Sequence, residues 1–205
     1  MARANLSCVL LIFVIYTVGL TEFTSAGTAA GMDFIRASCA TTRYATLCVQ
    51  SLTPYANAIG QDPQRLAKAA LSVSLNNAQS CSAFVSNLAK SKGLNSRAYL
   101  TVQDCINQVG DSVNRLGNAM QELGNLSPSG RQDFTWHMSN VQTWTSAALT
   151  DANTCLDEFS HATMDAKVHA TTRARVQTIA QYTSNALALV NRFAAKHHKG
   201  YYTCD

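Results

Sequence analysis

The stretch DCINQVGDSVNRLGNAMQELG, residues 104–124, decides the fold. Within it Ile106, Val109, Val113, Leu116, Met120 and Leu123 recur at alternating steps of three and four. That spacing lays a narrow apolar seam along one side of an α-helix, the pattern that helix bundles use. Downstream, Gly124 to Gly130 with Pro128 breaks the helix. A second stripe follows through Phe134, Met138, Val141, Thr145, Ala148, Ala152, Cys155 and Phe159, with Trp144 beside it. A short link near Ser160 to Thr163 leads to a third, through Val168, Thr172, Val176, Ile179, Thr183, Leu187, Val190 and Ala194. Upstream, Asp62 reads as a helix N-cap with Pro63 at the first helical position. Leu66, Ala70, Val73, Asn77, Cys81, Phe84 and Leu88 then form one more stripe, interrupted only at Asn77, and Lys90 to Gly93 ends it. Four long amphipathic segments with short links and no convincing strand predict an all-α protein, an antiparallel four-helix bundle.

The chain start reads differently. Arg3 precedes an apolar run from Cys8 to Leu20, and Thr24-Ser25-Ala26 offers a cleavage site. The run is too short and too early for a membrane span, so residues 1–26 are expected to be a signal peptide and residues 27–205 one secreted domain. Arg3 and Glu22 leave together, so the formal charge of +4 is unchanged by cleavage. Mild basicity of this size fits an acidic partner or a polyanion, or unselected surface charge. No dense basic-aromatic patch points to nucleic acid.

Seven cysteines then acquire meaning, one of them within the leader. In an oxidising compartment the near pair Cys39 and Cys48 and the far pair Cys105 and Cys155 read as a disulfide framework. The first would close a loop of about ten residues and the second about fifty, worth roughly 2.5–3 and 4 kcal/mol by loop entropy. Cys81 and Cys204 either pair and tie down the tail, or stay apart as a buried and a labile thiol.

Catalytic chemistry finds little support. His137, His161, His169, His197 and His198 lack the spacing that sets two metal ligands and a base on one helix face, and no metal or other cofactor is expected. No nucleophile elbow or glycine-rich phosphate loop occurs. Asp157 and Glu158 are adjacent, so their side chains diverge on a helix, and Asp104 with Asp111 reads as a surface acidic patch. An enzyme is not expected.

The cysteine surroundings carry a resemblance. Phe34-Ile35-Arg36-Ala37-Ser38-Cys39, then Thr42-Arg43-Tyr44 and Leu47-Cys48, resembles the opening of the plant invertase and pectin methylesterase inhibitors. Asp104-Cys105 through Asp111, Val113 and Leu116 is similar to that family's second cysteine helix. Trp144 to Thr150 and on through Thr154-Cys155 is the most specific stretch, and the likeness runs from Met32 to Lys199. The resemblance implies a four-helix bundle preceded by a short N-terminal helical hairpin, with disulfides Cys39–Cys48 and Cys105–Cys155. It implies a secreted apoplastic or cell-wall inhibitor, monomeric when free and off the membrane once its leader is cleaved.

Its partner would be pectin methylesterase, held one to one with the pectin-binding cleft covered, or alternatively an invertase. The chain has no Pro-Lys-Phe motif of the invertase inhibitors, and its Thr-Arg-Tyr opening looks more like the esterase branch. Asp111, Thr154 and Asp157 match partner contacts of the family, whereas Asn107 and Asn114 stand where other members carry an acidic residue. Without the resemblance, Thr154 reads as a hydroxyl bonding its own helix and the two aspartates as solvated charges. A small-ligand carrier is the reading from another class, and it requires an internal cavity.

Overall fold

Asp62 starts the first long helix as its sequence predicts. Its carboxylate accepts from the backbone N–H of Gln64 at 2.7 Å and of Arg65 at 3.1 Å, and Pro63 occupies the first turn. The computed structural model describes residues 27–90, 94–126, 131–160 and 164–199. The expected leader, Cys204 and the rest of the tail lie outside the described residues.

Helix α1 covers residues 27–39, and α2 runs Ala45–Leu52. A 3₁₀ turn, Thr53–Tyr55, leads to the single turn α3, Ala56–Ile59. The long helices are α4 (Pro63–Ala89), α5 (Ser96–Gly124), α6 (Arg131–Ser160) and α7 (Ala166–Lys199). Each packs chiefly on its sequence neighbours, and α7 closes the ring on α4. The result is the all-α antiparallel bundle preceded by a helical hairpin. Among the described residues no strand occurs, and no helix is long and apolar enough to cross a membrane.

The α6 stripe is buried at every position the sequence assigns to it, from Phe134 to Phe159. The α5 seam is rotated from its expected place. Val102, Cys105, Val109, Ser112, Leu116, Ala119 and Leu123 form the buried line, while Ile106, Val113 and Met120 flank it half-buried. The true seam keeps the three-four alternation but uses Cys, Ser and Ala at alternate places. Small side chains there let α5 and α6 approach closely, and the larger residues pack against α4 instead, with Met120 beside Ala69 and Ser72. Helix α5 also begins well before residue 104, because the Asn95 side chain accepts from the Ala98 N–H at 2.8 Å and caps it.

Buried hydroxyls tie helices together inside this core. Thr183 donates to the Ile179 carbonyl, so Ser74 must donate to Thr183 across the α4–α7 contact at 2.6 Å.

The hairpin docks on α4 and α7. Cys39–Cys48 joins α1 to α2. Asn185, 3% exposed on α7, accepts from the Tyr44 N–H at 3.1 Å and donates to the Tyr44 carbonyl at 3.0 Å. Arg192 reaches the last carbonyls of α1 at Ala37 and Ser38, where a cation complements the helix end. Gly31 lies so close to α3 that a Cβ there would stand 2.3 Å from the Ala56 carbonyl oxygen. Only glycine allows that approach.

Candidate interaction face on α5 and α6

Four links hold α5 to α6, and each follows from the close approach of their seams. Cys105–Cys155 spans the pair with Cα atoms 4.7 Å apart. Ser112 donates to the Ala148 carbonyl at 2.9 Å. Arg115 Nε reaches Asp151 Oδ2 at 2.8 Å, and Glu122 Oε1 meets His137 Nδ1 at 2.7 Å and Asn140 Nδ2 at 2.9 Å. Together they brace the pair over most of its length.

Carboxylates line the outer edge of this seam. The Asn140 and His137 bonds hold the Glu122 carboxyl below the usual glutamate range. Burial pushes the Asp151 carboxyl up; the Arg115 guanidinium opposes this, and the charge of Asp111 adds to it. Burial also raises Glu158, with a further push from Asp104, and Glu158 Oε2 is buried without a hydrogen-bond partner. Asp111 thus lies within electrostatic reach of Asp151, and Asp104 within reach of Glu158.

Thr154 lies between Asp151 and Glu158 on the same flank of α6, so the fold brings it and Asp111 to one seam. Its hydroxyl donates to the Thr150 carbonyl at 3.0 Å, which leaves its lone pairs to an incoming donor. Asp157 is exposed one turn beyond Thr154 and faces outward, away from the seam that Glu158 enters. The sequence reading passed over Asp151 and weighed Glu158 only beside Asp157, as a pair whose side chains diverge. Glu158 lies three residues after Cys155, and Asp151 four before it, so helical spacing to the stapled cysteine was the available signal.

Glu158 gives this face a pH dependence. Its folded pKa is raised, so the native state holds the proton more tightly than the unfolded chain. The stabilisation is full below the ordinary glutamate value of 4.5 and is lost as pH rises through the raised value. Glu158→Gln should therefore unfold at higher denaturant than the parent at pH 7, by about 1 kcal/mol, and match it near pH 4. Equal differences at both pH values would contradict the assignment.

The fold and this face describe a disulfide-stapled four-helix bundle with one braced, carboxylate-lined side. A sequence profile described as plant invertase/pectin methylesterase inhibitor matches residues 33–189. The chain is 46% identical over 184 residues to the 21 kDa protein of Daucus carota, covering 90% of this chain and 95% of that one. It is 46% identical over 194 residues to pectinesterase inhibitor 11 of Arabidopsis thaliana, covering 92% and 96%. The crystal structure of mutant form A of a pectin methylesterase inhibitor from Arabidopsis shares the fold, with a TM-score of 0.60 at 21% identity over 75% of this chain and 92% of that one. The chain belongs to the plant invertase/pectin methylesterase inhibitor family. That family is one of inhibitors, and the chain is not an enzyme.

Proposed function

We propose that this chain is a secreted inhibitor of pectin methylesterase, bound one to one through the α5–α6 face and acting by covering the pectin-binding cleft. Relatives named pectinesterase inhibitors at 46% and 44% identity carry the reading. The four cross-links between α5 and α6 support the choice of face, because a plug must hold its shape against a cleft rather than order on arrival. Asp111 and Thr154 supply an acceptor charge and acceptor lone pairs to the esterase, and Asp157 extends the contact outward. Inhibition is steric, since nothing in the mechanism requires a covalent step.

Titration of a plant pectin methylesterase and a plant invertase near apoplastic pH tests the target. Inhibition of invertase with no effect on the esterase would overturn it. The face is tested by Asp111→Lys combined with Thr154→Ala. Both positions are solvent-accessible, so the melting temperature should hold while esterase inhibition weakens by about tenfold to a hundredfold. Unaltered inhibition would move the interface elsewhere.

A further inference from the structure

Charge is divided between the two halves of the bundle. Helices α4 and α7 contain no Asp or Glu and carry eight Lys and Arg, whereas α5 and α6 carry seven carboxylates against three cations. The ring order places α4 and α7 on the side opposite the α5–α6 face. The hairpin covers one end of this basic side through its contacts with α4 and α7. Among the described residues the hairpin does not reach the other end. There Lys90, Lys167 and Arg175 are all exposed, and no ion pair of theirs occurs among the described residues.

Two contacts fix the register of α4 against α7. Ser74 lies opposite Thr183, and Arg175 stacks on Phe84 with its guanidinium 4.4 Å from the ring centroid. Continuing that antiparallel register sets Lys90 level with Lys167. Arg175 follows Lys167 by eight residues, an axial rise of about 12 Å. Thr171 and Ala174 between them, with Thr178 just beyond Arg175, border a shallow depression. Asp165, the acid preceding α7, is engaged as its N-cap by the N–H groups of Lys167 and Val168, each at 3.0 Å.

We propose that this end of the α4–α7 face binds an acidic polysaccharide, a polyuronate bearing free carboxylates. Spaced cations beside hydroxyls suit a chain of repeated carboxylates and sugar hydroxyls. The large exposed apolar side chains among the described residues are Tyr55, Tyr99, Leu100 and Trp136. None lies on α4 or α7, so the described residues of this face offer no exposed wedge for a lipid surface and no exposed ring on which a nucleobase would stack. The identity of the polymer rests on the proposed function: hydrolysis of pectin methyl esters leaves carboxylates on the chain. The inhibitor would then be held on polymer that the esterase has already processed, with its opposite face free for the enzyme.

Binding of the mature protein to polygalacturonate, without any esterase, tests the proposal. Retention should weaken steeply with added salt and be absent on fully methyl-esterified pectin. Lys90→Gln and Lys167→Gln combined should lower affinity about tenfold, with unchanged melting temperature and unchanged esterase inhibition. Arg175 is left in place because it packs on Phe84. No binding by the parent protein, equal binding to the esterified polymer, or equal binding to duplex DNA or phosphatidylserine vesicles would each overturn the proposal. So would a double variant that binds like the parent. Binding to polygalacturonate by a protein that inhibits no esterase would sink the proposed function and leave this inference standing.

Discussion

Replacing Cys105 and Cys155 together by alanine is expected to cost about 4 kcal/mol of unfolding free energy and most of the inhibitory activity. The closed loop spans 50 residues, so opening it returns a large conformational freedom to the unfolded chain. Both cysteines are fully buried at the α5–α6 contact, and alanine leaves no polar group stranded there. The Ser112, Arg115 and Glu122 links remain, so the helices still pair in the folded state. Inhibition should fall further than the folded fraction explains, because Thr154 adjoins Cys155 and loses its fixed position relative to Asp111. Denaturant unfolding beside esterase titration at a temperature where the variant is folded separates the two effects. A loss below about 1 kcal/mol would show that the remaining contacts already restrict the unfolded chain.

The second large effect is expected at Asn185→Leu. Leucine approximates the volume of the amide but can neither accept from the Tyr44 N–H nor donate to its carbonyl. The Tyr44 N–H then loses its partner at a half-buried turn, while its carbonyl keeps the Cys48 N–H at 2.9 Å, so the cost should be about 1–3 kcal/mol. The loss should fall on the hairpin. Amide exchange across residues 27–59 should quicken by more than the global unfolding rate accounts for, while the centres of α5 and α6 keep their protection. Uniform acceleration over all helices would show instead that the hairpin and bundle open as one unit.

What was legible in the sequence was whatever depends on one helix at a time. The α6 stripe from Phe134 to Phe159, the Asp62-Pro63 start and the three-four rhythm of α5 are local properties of their segments. The angular placement of the α5 seam was not. Ranking residues by apolar size chose Ile106, Val113 and Met120, whereas close approach to α6 buries Cys105, Ser112 and Ala119. The start of α5 was missed because a lone Asn95 cap carries little weight ahead of the first large apolar residues. Asn185 gave no sign of its role, since its partner lies 141 residues away.

The interaction face divides the same way. Asp111 and Thr154 were found through a family pattern, and the fold gives them a shared seam. Asp151 and Glu158 matter through charges on the neighbouring helix, Asp111 and Asp104, and one helix read alone shows no such pairing. The division of charge between bundle halves was present in the composition all along. It became visible only when the ring order showed which helices are neighbours.

Cys81 reports on the motion of the bundle. Its thiol is buried on α4 with no disulfide partner among the described residues, and burial pushes its pKa up to about 11 against the pull of Arg175. A thiol in that state is nearly silent toward alkylating reagents at neutral pH. It reacts only when α4 parts from its neighbours, so the protein contains a clock that ticks at the rate of its own breathing. Because Cys81 belongs to the buried core of the bundle, that clock reads the opening of the core itself.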